Sequence, residues 1–323
     1  MNFRVLIPSL IAVYLVVPLV LSGNNYLMSL MIASLTIGGV ALAWALLGNL
    51  GGMVSFGHAA FFGVGAYVSA LLTLKLQLPV FPSMLLGGIG AMVAAVAVLP
   101  ALRLKGPYFA LAILAYAHIF RILATELTSV TNGAGGLYSI PQFPDFLGFD
   151  FGSKLGGYLL IVSICAIFTW IYYLIRKSYY GLALRAMHDS EDATRVVGVN
   201  STLLKAQMLF VSAFMTGVVG AFNAHYINFL EPDYAFSGSW TILPIIAAIF
   251  GGYKTLSGPL FGALAIYLMD QLVFKSFIPH GHEIILGVLL GVMILFSPDG
   301  LVPLVAKRGF HNLGYPRKCD DKT

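Results

Sequence analysis

Long apolar runs dominate this chain, and polar residues collect in the gaps between them. Most runs approach the twenty or so residues that a helix needs to cross a bilayer, and none alternates with a period of two, which favours helices over a β-barrel. The runs lie at about 5–22, 26–48, 54–74, 83–102, 107–127, 157–175, 206–229, 239–250, 255–274 and 283–297. The pattern predicts an all-α, polytopic integral membrane protein with about ten transmembrane helices.

Two of these segments, 239–250 and 283–297, are shorter than a full crossing requires. They are expected to be broken, tilted or re-entrant helices, which leaves eight to ten complete crossings. The first run, 5–22, follows Arg4 and has no convincing small-x-small cleavage site. It is therefore interpreted as a first span and not as a signal peptide.

The composition agrees with a membrane protein. The 323 residues are 59% hydrophobic and 10% charged, whereas about a quarter of the residues in a soluble domain are charged. A soluble fold is excluded, and residues 1–323 are interpreted as a single transmembrane domain. Cys165 and Cys319 provide neither a disulfide framework nor the spacing of a metal site.

The basic residues sort to one side of the predicted membrane. Fourteen of the eighteen Lys and Arg residues fall on the side that holds both termini and the 176–205 loop, three fall on the other, and Arg121 lies within a span. An excess of positive charge marks cytoplasmic loops. Both termini, the 176–205 loop and the tail at about 298–323 are therefore expected in the cytoplasm. The net charge of +5 then requires no nucleic acid partner.

The 176–205 loop is the longest polar interruption, and its inner part has the signals of a short helix. Asp189 or Ser190 can cap the start, Glu191 and Asp192 suit a first turn, and Gly198 can end the helix. A capped, charged helix in the largest loop of a membrane protein indicates a docking element. A solvated connector is the alternative interpretation.

Two glycine-rich stretches, 51–67 and 251–267, share four identities at a constant offset of 200. Many transporters contain internal repeats, but small residues also let helices approach closely with no role in transport. Close packing is the favoured interpretation, and a repeat is the alternative.

Polar residues inside predicted spans usually face a cavity or a partner. Here they are His58, His118, Arg121, Glu126, Asn223, His225 and Asp270. His118 and Arg121 are three residues apart and share a helix face. A structural or interfacial role is the favoured interpretation of each residue taken alone, with Arg121 as the exception, and a direct role with substrate is the alternative. The chain has no GxxxxGK[ST], HExxH or GxSxG motif, so nucleotide hydrolysis by the chain itself, a cofactor and a metal are not expected.

Four separated stretches, in one order, resemble the LivM-type permeases of branched-chain amino acid ABC transporters. They are GNLGGMVSFGHAAFFGVGAYVSALL at 48–72, RLKGPYFALAILAYAHIFR at 103–121, TSVTNGAGGL at 128–137, and the run from YYGLALRAMHDSEDATRVVGVN at 179–200 through LSGPLFGA at 256–263. The resemblance covers roughly residues 26–297 and identifies the single domain as a permease domain.

The resemblance implies a pore-forming subunit in the bacterial inner membrane that is not itself an enzyme. A periplasmic binding protein would deliver leucine, isoleucine, valine or a related amino acid. A LivH-like sister permease would complete the pore, and two cytoplasmic ATPase subunits would hydrolyse ATP.

The family's coupling signature is EAA with a glycine after three further residues, and it matches Asp192, Ala193, Thr194 and Gly198. Asp replaces Glu, Thr replaces the second Ala, and the I-x-L-P element of other importers is not evident. The residues expected to couple to the ATPase are Arg185, Asp189, Glu191, Asp192, Ala193, Thr194, Arg195 and Gly198. Candidates for contact with the pore or substrate are His58, Tyr108, His118 and Arg121.

Three other functions remain open at this point. A permease of the same build could carry urea or short amides. A secondary transporter or channel could work alone, although no paired intramembrane carboxylates support ion coupling. A membrane-embedded enzyme would need a catalytic cluster, and the histidines at 58, 118 and 225 are scattered in the sequence.

Overall fold

The structure is a computed structural model that describes residues 23–104, 106–145, 150–277, 281–296 and 300–303. The described chain is almost entirely helical, which confirms the predicted all-α class. Its helices are α1 (Asn25–Ala45), α2 (His58–Leu76), α3 (Val80–Val98), α4 (Pro107–Glu126), α5 (Thr128–Thr131), α6 (Lys154–Lys177), α7 (Tyr179–Asp189), α8 (Glu191–Val196), α9 (Ser201–Ile227), α10 (Pro232–Ala235), α11 (Ser239–Gly251), α12 (Gly258–Met269), α13 (Lys275–Phe277) and α14 (His282–Phe296). Further helical turns extend α1 over Leu46–Leu50, α3 over Leu99–Arg103 and α12 over Asp270–Phe274.

Seven helical stretches in the described residues are long and apolar enough to cross a membrane, and two shorter apolar helices, Gly258–Phe274 and Ile284–Met293, accompany them. Every expected span from 26–48 onward falls on one of these nine. The expected span 5–22 lies outside the described residues, as does the expected tail at 298–323 apart from residues 300–303. The short segment at 239–250 is one part of a broken helix, because α10 precedes α11 and residues 236–238 separate the two.

The expected start of the span at 54–74 is wrong, because α2 begins only at His58. Gly52 has a φ of +64°, a left-handed conformation that ends the preceding helix. The non-helical segment that follows is held by contacts with the helix before it. The Trp44 indole Nε1 donates to the Ser55 carbonyl oxygen at 2.9 Å, which fixes this segment against α1.

Glycines let α2, α3 and α9 pack with almost no space between their backbones. A methyl group at Gly65 would overlap the backbone of Gly217, and one at Gly220 would overlap the carbonyl of Phe62. A methyl group at Gly87 of α3 would likewise overlap the backbone carbonyl of Gly65. These contacts support the close-packing interpretation of the glycine-rich stretch at 51–67.

The offset of 200 between the two glycine-rich stretches also appears in the backbone. Gly52 and Gly252 both have positive φ, at +64° and +103°. The helix that follows each glycine starts at His58 and Gly258, again 200 residues apart. Both stretches are therefore helix–turn–helix units with the same register, which agrees with a repeat as well as with close packing.

The longest helix, α9, runs the length of the bundle. It begins beside the 176–205 loop, at what we call the basic end, and it leads into strand β2 (Phe229–Leu230) at the opposite, strand end. There β2 pairs in antiparallel fashion with β1 (Leu137–Tyr138). His225 holds the same region together, because its Nδ1 lies 2.8 Å from the Pro141 carbonyl oxygen and its Nε2 lies 2.9 Å from Ser69 Oγ.

Candidate functional site

The 176–205 loop contains two short helices, α7 and α8, together with the last residues of the long helix α6 and the first residues of α9. The short helix expected in its inner part is α8. Of the two caps considered, Ser190 is the one used: its Oγ accepts from the Ala193 N–H at 3.3 Å. Helix α7 was not expected from the sequence. The signal for it was Ser178, whose Oγ accepts from the Gly181 N–H at 3.3 Å and caps that helix.

Gly198 ends α8 as expected. Its φ is +88°. Its N–H donates to the Arg195 carbonyl at 3.0 Å, and the N–H of Val199 donates to the Thr194 carbonyl at 3.3 Å. This pair of bonds is the Schellman motif, which satisfies the last carbonyls of a helix and reverses the chain direction. The motif turns the chain directly into α9.

Glu191 lies at the centre of an ion-pair network that ties α8 to α9. Its Oε2 accepts from Lys205 Nζ at 2.8 Å, and its Oε1 accepts from Arg195 at 2.8 Å and from Ser201 Oγ at 3.0 Å. The pKa of Glu191 is lowered, mainly by the hydrogen bond from Lys205. The hydrogen bond from Ser201 and the positive charges of Lys205 and Arg195 lower it further. Lys205 is on α9 and its side chain is only 15% exposed, so the short helix is anchored to a spanning helix.

The outer side of α8 is exposed and mostly apolar. Val196 is 87% exposed and Val197 is 77% exposed. We call the exposed residues Asp192, Ala193, Val196 and Val197 the docking face. Thr194 points the other way: it is buried, and its Oγ1 donates to the Ser190 carbonyl at 2.8 Å. Val196 and Val197 were missed from the sequence because a pair of valines in a polar loop gives no distinct signal.

The remaining coupling candidates have partners inside the loop. Arg185 donates to the Arg176 carbonyl at 2.8 Å, and Arg195 is paired with Glu191 while half of its side chain stays exposed. Asp189 is exposed, and its Oδ1 lies 3.9 Å from His188 Nδ1.

The four candidates for pore or substrate contact are not brought together in one site. His58 is fully buried, and its Nε2 lies 2.9 Å from Ser212 Oγ. Tyr108 and His118 lie on the exposed surface of α4. Arg121 is also on α4, and its Nη1 lies 3.5 Å from an Asp233 carboxylate oxygen in an exposed ion pair at the strand end.

A cleft of about 580 Å³ lies at the basic end, and the sequence did not indicate it. Apolar residues from the 52–56 segment, from the start of α4 and from residues 102–104 line most of it. Glu191 and Lys205 form part of its wall. The same ion pair that anchors α8 therefore also borders this cleft.

Comparison with known proteins identifies relatives of the chain. Residues 26–297 match the family described as the permease component of branched-chain amino acid transport systems. The high-affinity branched-chain amino acid transport system permease protein LivM of Salmonella typhimurium is 26% identical over 281 residues, which cover 79% of this chain and 65% of that protein. The probable LivM of Methanocaldococcus jannaschii is 24% identical over 230 residues, covering 67% of this chain and 65% of that protein.

A second group of relatives carries the LivH name. The LivH permease protein of Salmonella typhimurium is 23% identical over 285 residues, which cover 81% of this chain and 90% of that protein. No solved structure matches the chain significantly. The chain thus spans about two thirds of the length of the LivM relatives and most of the length of the LivH relative. Because the family match covers most of the sequence, this multi-pass membrane protein belongs to the family of permease components of branched-chain amino acid transport systems.

Proposed function

We propose that this chain is the pore-forming permease subunit of an ATP-driven importer for leucine, isoleucine, valine or a related amino acid. The names of its LivM and LivH relatives support this substrate class and a pair of sister permeases. In this assembly a binding protein delivers the amino acid, and two cytoplasmic ATPase subunits hydrolyse ATP. The chain itself supplies the route and no enzymatic step.

The observation that carries the proposal is the geometry of α8. One side of this short helix is exposed and carries Ala193, Val196 and Val197, while Glu191 on the helix pairs with Lys205 of α9 at 2.8 Å. A partner that binds the docking face and shifts α8 also shifts α9, because the ion pair joins the two helices. If the ATPase binds one position of α8 more tightly than another, ATP binding shifts the population of the permease between two states.

The proposed orientation places the basic end, both termini and the docking face in the cytoplasm. Its support is the excess of Lys and Arg on that side, fourteen against three. The ATPase then meets Ala193, Val196 and Val197 at the centre of the contact. Arg185, Asp189 and Asp192 form its charged edge, where they steer association more than they add affinity.

Substitution of Ala193 tests the coupling role. Ala193→Glu adds a long charged side chain to the exposed docking face, so it is expected to prevent close approach of the ATPase. Uptake of leucine by cells that express the whole transporter should fall to background while the amount of protein in the membrane stays constant. ATP hydrolysis by the purified assembly should no longer respond to the loaded binding protein.

Ala193→Ser is the matched control, because it keeps a small side chain at the same position and should retain most uptake. Normal uptake by the Ala193→Glu variant would defeat the coupling assignment.

Competition of leucine uptake by isoleucine and valine, but not by urea or acetamide, is expected from the proposed substrate class. Uptake of urea alone would assign the chain to the amide-carrying alternative.

A further inference from the structure

Helix α4 leaves one whole face uncovered. Its other face packs inward, where Phe109, Ile113 and Ala117 are buried. Most of the exposed residues recur at intervals of three and four and form one line along the helix, with the exposed Arg121 and Leu123 on either side of it. We call this line the α4 stripe, and it consists of Tyr108, Leu111, Ala115, His118, Ile119, Ile122 and Glu126.

His118 puts an ionisable side chain on this stripe near the middle of the helix. It lies eleven residues after Pro107 and eight before Glu126, which is about 16 Å and 12 Å from the two ends at 1.5 Å per residue. Ionisable side chains, histidine included, are rare inside membrane spans and almost always face the bundle interior or a water-filled cavity. An exposed residue of this kind therefore fits a water-filled space better than lipid.

The exposed faces of two other spanning helices differ from the α4 stripe. On α3 the large exposed side chains are Leu85, Leu86, Ile89, Val93 and Val96. On α6, between its terminal lysines, they are Ile167, Trp170 and Leu174. All of these exposed side chains are apolar, as expected of a surface that meets lipid. The contrast separates α4 from helices of similar exposure.

The α4 stripe also connects features at the two ends of the bundle. At the basic end, Leu111 belongs both to the stripe and to the wall of the 580 Å³ cleft bordered by Glu191 and Lys205. At the strand end, the stripe finishes at the exposed Glu126, and the ion pair of Arg121 and Asp233 lies beside it. Polar groups thus occur at both mouths and at one level between them.

We propose that the α4 stripe lines a water-filled route for a small zwitterion with an apolar side chain, and that the sister permease closes the route opposite it. The few polar groups of the stripe contact the charged ends of such a solute weakly. The apolar residues Leu111, Ala115 and Ile122 contact its side chain weakly. Weak contacts suit passage and not retention. This inference rests on the proposed function, since it requires the assembled transporter.

Cysteine accessibility tests the route. Leu111→Cys, Ala115→Cys and His118→Cys are made separately in a Cys165→Ala, Cys319→Ala background, with Val93→Cys on α3 and Ile167→Cys on α6 as controls for lipid-facing positions. Membranes containing the whole transporter are treated with a charged, water-soluble thiol reagent. Because the thiolate is the reactive form and needs water, the three stripe variants should react about tenfold faster than the controls.

Saturating leucine should slow the reaction of Ala115→Cys and His118→Cys at least about twofold, because the solute occupies the same space. Equal rates at stripe and control positions, or reaction only with a lipid-soluble maleimide, would overturn the inference. Leucine uptake by the unlabelled background protein is measured in the same membranes. If the stripe is labelled while leucine is not transported, the proposed substrate fails and the route remains.

Discussion

Glu191 is the residue that holds helix α8 in its position against α9. Its carboxylate receives hydrogen bonds from Arg195, Ser201 and Lys205. Glu191→Gln keeps the shape and removes the charge, which leaves Lys205 unpaired at 15% exposure. We expect a loss of about 1 kcal/mol in the free energy of unfolding of the purified protein. Denaturant unfolding measures it, and Lys205→Met combined with Glu191→Gln should recover part of the loss.

The same residue gives a pH dependence with a defined sign. The pKa of Glu191 is lower in the folded protein than in the unfolded chain. Its contribution to stability is therefore fully present above the unfolded pKa and is lost as the pH falls through the folded pKa. The stability difference between the natural protein and Glu191→Gln should be constant around pH 7 and vanish on strong acidification. A difference that persists unchanged in acid would contradict this assignment.

Gly198 is a position where the backbone and not the side-chain space sets the requirement. A Cβ there would meet nothing within 4 Å, but φ is +88°. Gly198→Ala should cost about 1–2 kcal/mol from the left-handed conformation and should reduce uptake by disturbing the exit from α8. Gly198→Asn should retain more activity, because Asn tolerates this conformation. Gly238→Ala is the control, since Gly238 has equal space and a φ of −56°.

Single residues also show where sequence reasoning stops. Ser190 and Gly198 were identified as helix ends because capping depends on local chemistry that the sequence carries directly. The bonds of Glu191 to Ser201 and Lys205 were not foreseen, because they join positions 10 and 14 residues apart across a chain reversal. Likewise, the sequence made both His58 and His118 candidates for contact with the pore or substrate. Only the packing of the helices shows that His58 is buried and His118 is exposed.

Among the elements, spanning helices were well predicted and their interruptions less so. Apolar runs locate the helices because lipid requires long hydrogen-bonded apolar segments. The start of α2 was placed four residues early because residues 54–57 continue the apolar pattern of the helix. The segment is non-helical because of the positive φ of Gly52 and the bond from Trp44 to Ser55, which the pattern does not reveal. Helix α7 was missed because its charged residues resemble those of a solvated loop.

The contact between α11 and α12 gives a prediction about helix packing. A methyl group at Gly262 would overlap the carbonyl oxygen of Ala247 on the facing helix. Gly262→Ala should therefore separate the helices and destabilise the protein by about 1–3 kcal/mol. Gly287→Ala on α14 is the control, because a methyl there meets nothing within 4 Å. Thermal aggregation of the two detergent-solubilised variants compares them, and equal midpoints would refute the close contact.

At the scale of the whole molecule, the two ends of the bundle differ in kind. At the strand end, the pairing of β1 with β2 and the contacts of His225 with Ser69 and Pro141 join parts of different loops. The basic end has the separate helix α8, the exposed valines and a cleft. In the proposed transporter, the binding protein delivers the solute at the strand end. The ATPase, which moves during its cycle, binds α8 at the basic end. The proposed import direction assigns the two ends to opposite sides of the membrane.

That assignment can be tested by labelling from each side. In the Cys165→Ala, Cys319→Ala background, Val196→Cys at the basic end and Tyr138→Cys at the strand end both introduce exposed thiols. Because the side with fourteen basic residues is expected to stay inside, a membrane-impermeant maleimide should label Tyr138→Cys in spheroplasts and Val196→Cys only in inverted vesicles. A permeant maleimide should label both in either preparation. Labelling of Val196→Cys from outside would put the docking face beyond the reach of a cytoplasmic ATPase, and coupling through α8 would then be physically impossible.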